Sequence, residues 1–351
     1  MKKLIAGFTL ALGTLFLVCA MAAFQFLSAG PGSSEEKVVF EVPYGATFVQ
    51  VAHRLAEQGL VRSYIRFRIF AKITGQESRL KSGEYQLDKG MTPQKILSVL
   101  ASGKSIMYPV TFPEGTNIFD MAQTLEKRGF YKASDFLKSC RDPETIKKLL
   151  GEALPSLEGY LFPDTYHLTK FTPLDELLSS MVQKFKTAYA DIAPTATVRL
   201  TQHQAVTLAS VIEKETGAGE ERPLISSVFH NRLAKGMKLQ SDPTIIYGIW
   251  VETGEMKANI TKADILHPTE YNTYTVARLP VGPIANPGKE ALAAALRPSQ
   301  SEYFYFVSKN NGTHVFTKTY QDHLKAVRSF QLDPEARKGK SWRDLNDREA
   351  K

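Results

Sequence analysis

The sequence predicts an α+β chain in three parts: an N-terminal transmembrane helix, a small module of two strands and two helices, and a larger mixed α+β domain. Three observations carry this. About two dozen residues from Leu4 to Leu27 are uncharged, and a strand-turn-helix pattern that begins near Val38 recurs seventy residues later. Beyond that recurrence, segments with apolar residues three and four apart alternate with short β-branched and aromatic runs.

The 351 residues suffice for two or three domains, and 43% hydrophobic with 23% charged residues is an ordinary globular balance. A net charge of +8 suits an anionic partner such as phospholipid head groups or an acidic cell-wall polymer. The basic residues are spread along the chain and form no arm, so nucleic acid is not an expected partner.

Lys2 and Lys3 precede the uncharged run, which exceeds the roughly 20 residues needed to cross a bilayer. Positive charge before the span places the N-terminus in the cytoplasm and the rest outside. A cleaved signal peptide is the rival reading, because Ala20-Met21-Ala22 resembles a small-x-small cleavage site. An ordinary signal core is shorter than this run, which favours an uncleaved anchor over residues 1–27. Cys19 follows Val18, not the small residue that lipidation requires, and Cys140 is expected as a buried small side chain. Residues 28–37, rich in Gly, Ser and Pro, read as a flexible tether.

The module spans residues 38–105. Val38–Val42 reads as a strand, Pro43-Tyr44-Gly45 as a turn, and Thr47 begins a helix carrying Val51 and Leu55 before Gly59. Gly83–Leu87 is a second strand, and Thr92-Pro93 starts a helix to about Ala101. The pattern recurs at Val110-Thr111-Phe112 and Pro113-Glu114-Gly115, where Ile118, Ala122, Leu125 and Gly129 fall in register with Phe48, Ala52, Leu55 and Gly59. In composition the module resembles LysM-like modules that contact glycan chains; a spacer is the alternative.

The larger domain spans 106–332 and a charged tail covers 333–351. Helices are expected around 143–150, 173–190, 201–216 and 220–235, then a hairpin with strands near 303–307 and 313–316. In the helix at 201–216, apolar residues recur at 205, 208, 209 and 212, and Glu215 continues that stripe. At about 100° per residue it lies about 60° from Ile212, against about 100° for Glu213. A carboxyl held against apolar neighbours has its charged form disfavoured, which is the profile of a general acid. A surface glutamate near the helix end at Gly217 is the alternative.

Several chemistries are excluded. Gly103-Lys104-Ser105 lacks the first glycine of a phosphate loop, and no Gly-x-Ser-x-Gly or His-Glu-x-x-His occurs. The seven histidines show no paired spacing on one helix face, so no metal or cofactor is expected. What remains are loops rich in carboxylates, amides and aromatics: Glu158–Tyr166, Gln240–Thr244, Tyr271–Tyr274 and Leu279–Gly288. Aromatic faces pack on the C–H side of sugar rings while Asp, Gln and Asn satisfy hydroxyls, so such loops suit a glycan cleft.

The strings Leu208–Thr216, Ser227–Leu233, Leu239–Thr244 and Tyr271–Tyr274, with Glu158–Thr165 and Leu279–Ile284, closely resemble the endolytic murein transglycosylase family, also called YceG-like. The resemblance covers nearly the whole chain. It implies a membrane-anchored enzyme whose substrate is the peptidoglycan glycan strand, cut internally to leave 1,6-anhydro ends, and whose catalytic glutamate is the second Glu of Glu-Lys-Glu-Thr, here Glu215. It assigns Gln240, Asp242, Asn272 and Tyr274 to sugar binding, with Glu158 and Asp164 as further candidates that could instead stabilise a turn or pair with Arg232. With the topology it suggests a catalytic domain outside the bacterial inner membrane and peptidoglycan synthases of the elongation machinery as partners. A muramidase using Asp242 as second carboxylate and a non-catalytic peptidoglycan-binding scaffold are the competing readings.

Overall fold

The structure, a computed structural model, describes residues 24–257 and 259–333 together with residues 13, 14, 17, 18 and 21. Most of the expected anchor and the tail beyond Asp333 lie outside these. Among the described residues no helix is long and apolar enough to cross a membrane. The described residues are mixed α+β, with three two-stranded sheets among many short helices. It forms two compact units, one reaching Val110 and including Tyr166–Thr172, the other made of Thr111–Thr165 and the residues from Pro173 onward.

In the first unit β1 (Lys37–Val42) pairs antiparallel with β2 (Gly83–Asp88), with Phe40 opposite Tyr85 and Val38 opposite Leu87. Alternation puts Phe40 and Val42 inward with Tyr85 and Leu87, and all four are buried. Helices α1 (Phe48–Glu57), α2 (Tyr64–Ile73) and α3 (Pro93–Ser102) cover this face with Val51, Leu55, Phe67, Ala71 and Ile96. Their starts are locally encoded. Thr47 forms a capping box with Gln50, Ser63 accepts from the Arg66 N–H, and Thr92 caps a helix whose first residue is Pro93. Residues 28–37 are fastened to this unit: the Gly32 N–H donates to the Lys89 carbonyl at 2.9 Å and Arg62 Nη2 donates to the Gly30 carbonyl at 3.1 Å.

The repeat read from the sequence is a repeat of structure. Strand β3 (Tyr108–Thr111), which pairs with β4 (Thr165–Leu168), leads through a Pro-x-Gly turn to α4 (Ile118–Lys127), as β1 leads to α1. Corresponding hydrogen bonds recur, Ala46 N–H to Pro43 O and Thr116 N–H to Pro113 O at 3.2 Å, Leu60 N–H to Leu55 O and Phe130 N–H to Leu125 O at 2.8 and 3.0 Å. The repeat also extends further than the sequence suggested. Helix α5 (Ala133–Arg141) buries Phe136 and Cys140 as α2 buries Phe67 and Ala71, but with a one-residue slip that hides the match.

The second unit continues with α6 (Pro143–Leu150), α7 (Leu174–Ile192), α8 (Gln202–Glu215), α9 (Arg222–Ala234), α10 (Asp242–Thr253), α11 (Lys262–Leu266) and α12 (Lys289–Leu296). Strands β5 (Tyr305–Ser308) and β6 (His314–Thr317) form the expected hairpin, followed by α13 (Tyr320–Val327). Helix α8 is the centre of this unit: every residue from Ala205 to Glu213 is buried, and α9, α10 and α12 pack against it.

Both repeat copies end their first helix on a left-handed glycine, Gly59 and Gly129, at φ of 69° and 73°. A Cβ at Gly129 would meet nothing within 4 Å, so the conformational term stands alone there. Gly129→Ala is therefore expected to cost about 1 kcal/mol and Gly129→Asn less, checked by urea midpoints at unchanged m.

Candidate active site

Glu213 and Glu215 stand two residues apart at the end of α8, and their surroundings differ. Because α8 is enclosed on all sides, Glu213 is buried too, and more deeply than the half-buried Glu215. The helix-face argument therefore does not separate them; their partners do. Glu213 Oε1 pairs with Arg222 Nη2 at 2.8 Å, and its Oε2 accepts the Gly288 N–H at 2.9 Å. Glu215 forms no ion pair among the described residues.

Among the described residues, the hydrogen bond to the Glu215 carboxyl comes from the hydroxyl of Ser241, a short contact to Oε1. Burial is the main cause that pushes the Glu215 carboxyl up to about 7. The Ser241 hydroxyl opposes this, the Asp242 carboxylate adds to it, and the Arg232 guanidinium opposes it. Arg232 is held elsewhere: its Nε donates to the Phe304 carbonyl and its Nη1 to the Leu239 carbonyl, each at 2.7 Å. Glu215 also terminates its helix, where the carbonyl end of the dipole disfavours an anion.

Ser241 occupies the N-cap position of α10, but its hydroxyl makes no cap bond and goes to Glu215 instead. Its backbone is fixed by a threonine pair. The Ser241 N–H donates to Thr273 Oγ1 at 3.0 Å, Thr244 Oγ1 donates to the Ser241 carbonyl at 2.6 Å, and the two threonine hydroxyls bond each other at 2.9 Å. Gln240, just before it, is exposed with a left-handed φ of 53°, a conformation that a non-glycine residue holds only when its surroundings impose it.

Asp242 is exposed, and its Oδ1 accepts the Tyr274 hydroxyl at 2.7 Å. Burial, and then this bond, raise the Tyr274 phenol. Ser241, Asp242 and Tyr274 thus form one constellation around Glu215, with Gln240 at its edge. Asn272 contributes indirectly. It is fully buried, its Nδ2 donates to the carbonyls of Ile265 and His267, and its Oδ1 accepts the Tyr274 N–H at 2.9 Å.

The other two candidates have different surroundings. Glu158 is fully buried and accepts from the Ile118 N–H at 3.0 Å, the Tyr247 hydroxyl at 2.8 Å and Asn286 Nδ2 at 2.9 Å. Burial pushes its carboxyl up to about 8 against the pull of the Ile118 N–H and the Tyr247 hydroxyl. Asp164 makes an exposed pair with Lys184, whose hydrogen bond holds its carboxyl below the usual range. Neither pairs with Arg232, which donates to the carbonyls of Phe304, Lys238 and Leu239.

A cavity of about 330 Å³ opens where the residues beside Glu215 and Asp242 meet, lined by Lys214, Pro243, Tyr247, Trp250, Asn117 and Asp120. It offers aromatic faces and polar groups together, the combination that suits a sugar ring. A concavity of about 640 Å³ beside Arg222 and Glu290 is larger, but there the Glu290 carboxylate is engaged with Arg222. Sequence reasoning passed over Ser241 and Trp250. The only local signal for Ser241 was its place as a cap candidate ahead of Asp-Pro, which says nothing of Glu215.

The sequence matches the YceG-like family over residues 40–329. The chain belongs to that family. The endolytic murein transglycosylase of Bacillus subtilis is 31% identical over 315 residues, covering 85% of this chain and 86% of its own length. That of Streptococcus pneumoniae is 30% identical over 330 residues, covering 84% of this chain, which spans 58% of that longer relative. The crystal structure of a YceG-like protein from Listeria monocytogenes superposes with a TM-score of 0.55 at 30% identity, covering 83% of this chain and 99% of that one.

Glu158→Gln tests the buried node. An amide can accept from Ile118 and Tyr247, but its NH₂ then faces Asn286 Nδ2. Asn286 cannot turn over, because its Oδ1 accepts the Leu161 N–H and its Nδ2 also donates to the Thr116 carbonyl. A loss of about 2 kcal/mol is expected for this unsatisfied pair, read as a lower urea midpoint.

Proposed function

We propose that this chain is a membrane-anchored endolytic murein transglycosylase in which Glu215 alone serves as acid and then as base. The observation that carries the assignment is a carboxyl without a cationic partner, raised to about 7 by burial and touched by one hydroxyl. The names of the Bacillus and Streptococcus relatives support the reaction class.

In this reading protonated Glu215 gives its proton to the oxygen linking N-acetylmuramic acid to N-acetylglucosamine. The C1–O bond breaks, the acetylglucosamine leaves with a free 4-hydroxyl, and positive charge develops at C1. The Glu215 carboxylate then takes the proton of the muramic acid 6-hydroxyl as O6 closes onto C1. The product carries a 1,6-anhydro ring, Glu215 is protonated again, and no water is consumed. Gln240, Asp242 and Tyr274 position the sugars; Asn272 sets Tyr274; Ser241 orients the carboxyl between its two roles.

The uncharged run from Leu4 to Leu27 serves in this proposal as an anchor in the bacterial inner membrane, with the N-terminus cytoplasmic and both units outside. Confined to the membrane, the enzyme meets nascent strands and ends their elongation, which makes peptidoglycan synthases its natural partners. The first unit, as a LysM-like module, would hold the strand.

The test incubates the detergent-solubilised full chain with nascent uncrosslinked glycan strands and identifies new ends by mass spectrometry. Internal fragments with 1,6-anhydro ends are expected, with a loss of about 100-fold or more for Glu215→Gln. Reducing ends that disappear in Asp242→Asn would mark a muramidase with two carboxylates. Strands left intact but bound would mark a scaffold.

The pH dependence follows from the same carboxyl. The first step needs Glu215 protonated, so kcat/KM is expected to fall as pH rises through about 7. Ser241 holds the carboxyl down, so Ser241→Ala is expected to move that alkaline limb upward by about one pH unit. An unmoved limb would dissociate it from Glu215.

A further inference from the structure

Helix α2 buries one face and leaves the opposite face apolar. Phe67 and Ala71 are fully buried, whereas Ile65, Ile69 and Ile73 are 54%, 53% and 79% exposed. Residues four apart advance about 40° around a helix, so the three isoleucines form one stripe, roughly opposite Phe67 and Ala71. Arg66 borders the stripe on one side, Arg68 and Lys72 on the other, and all three are exposed. From Gln58 to Ile73 the sequence holds four basic residues and no acid. An apolar stripe between two cationic margins is the pattern of a helix lying in a membrane interface.

A second observation places this helix beside the end of the apolar run. Residues 24–28 are helical, and Phe26 packs edge-on against Phe70 of α2 with ring centroids 6.3 Å apart. Phe26 is buried there, while Phe24 and Leu27 stay exposed. The chain between is fastened without slack, by Arg62 to Gly30 and by Gly32 to Lys89. The last turn of the uncharged run is therefore bound to the helix that carries the stripe.

We propose that α2 docks on the outer surface of the anionic phospholipid bilayer, with Ile65, Ile69 and Ile73 among the acyl chains near the head groups and Arg66, Arg68 and Lys72 on lipid phosphates. This rests on the reading of Leu4–Leu27 as an anchor and goes beyond it: the first unit lies on the membrane as part of the attachment instead of swinging on a tether.

The experiment uses the full chain carrying Cys19→Ala, Cys140→Ala and Ile69→Cys, labelled with an environment-sensitive fluorophore and reconstituted into phosphatidylglycerol/phosphatidylethanolamine vesicles. Flotation with the vesicles reports the anchor. Blue-shifted emission, quenching by spin-labelled lipid and protection from iodide report docking, and all three are expected. They are expected to weaken in phosphatidylcholine vesicles or with Arg66, Arg68 and Lys72 changed to Gln, while flotation persists. Flotation with a label quenched only by iodide would overturn docking and leave the anchor standing. A label that is aqueous on vesicles and protected only in native membranes would assign the stripe to a protein partner, also overturning it. A chain that does not float would overturn the anchor reading and this inference with it.

Discussion

The second unit depends on a carboxyl group that has no contact with solvent. Glu158 receives hydrogen bonds from the start of α4, from Tyr247 on α10 and from Asn286 in the loop before α12. Burial alone would favour the neutral acid, and the donors favour the anion. Asn286 extends the knot, since its side chain also takes the Leu161 N–H and its backbone exchanges hydrogen bonds with Gly115 and Thr116. Helix α10 carries Ser241 and Asp242 at its start, and Tyr247 lies within its second turn. The position of the Ser241 hydroxyl against Glu215 is thus tied to the buried Glu158 carboxyl through α10.

The two glutamates at the end of α8 show how partners, more than burial, decide what a carboxyl can do. Glu213 has a guanidinium and a backbone N–H, so its charge is balanced in place and it ties α8 to the starts of α9 and α12. Removing one partner of such a buried pair is strongly destabilising, which makes it an element of structure. Glu215 has a hydroxyl at contact and, without an ion pair, the opposing charges of Asp242 and Arg232 nearby, so neither protonation state is strongly fixed. A proton donor that must later accept a proton requires that balance.

Much of the fold was legible because its signals are local. Thr47, Thr92-Pro93 and the left-handed Gly59 and Gly129 mark helix ends wherever they stand in space, and the hairpin and the periodic helices followed from the same rules. Helix α10 was hidden because Gln-Ser-Asp-Pro-Thr reads equally as a turn and as a cap followed by a first helical turn. Helix α2 was hidden because its exposed isoleucines and buried aromatics together leave no apolar period. In the candidate site, the motif strings singled out Glu215, Asp242 and Tyr274, which the fold brings together. For Glu158 and Asn272 the sequence could not say whether a polar loop side chain turns outward to a ligand or inward to the backbone. Both turn inward, and the amide and carboxyl groups that read as sugar ligands are taken up by protein donors and acceptors.

The arrangement of Asp242 bears on why one carboxyl can suffice. A hydrolytic second carboxylate must be free to activate water or attack C1. Asp242 instead accepts the hydroxyl of Tyr274, whose proton burial and this same bond hold firmly in place. It also acts on Glu215 by charge, raising that carboxyl, while the Ser241 hydroxyl opposes the shift. Lysis over hydrolysis then depends on which oxygen reaches C1 first. A 6-hydroxyl already within the substrate has the advantage of proximity over a water that must enter from solvent.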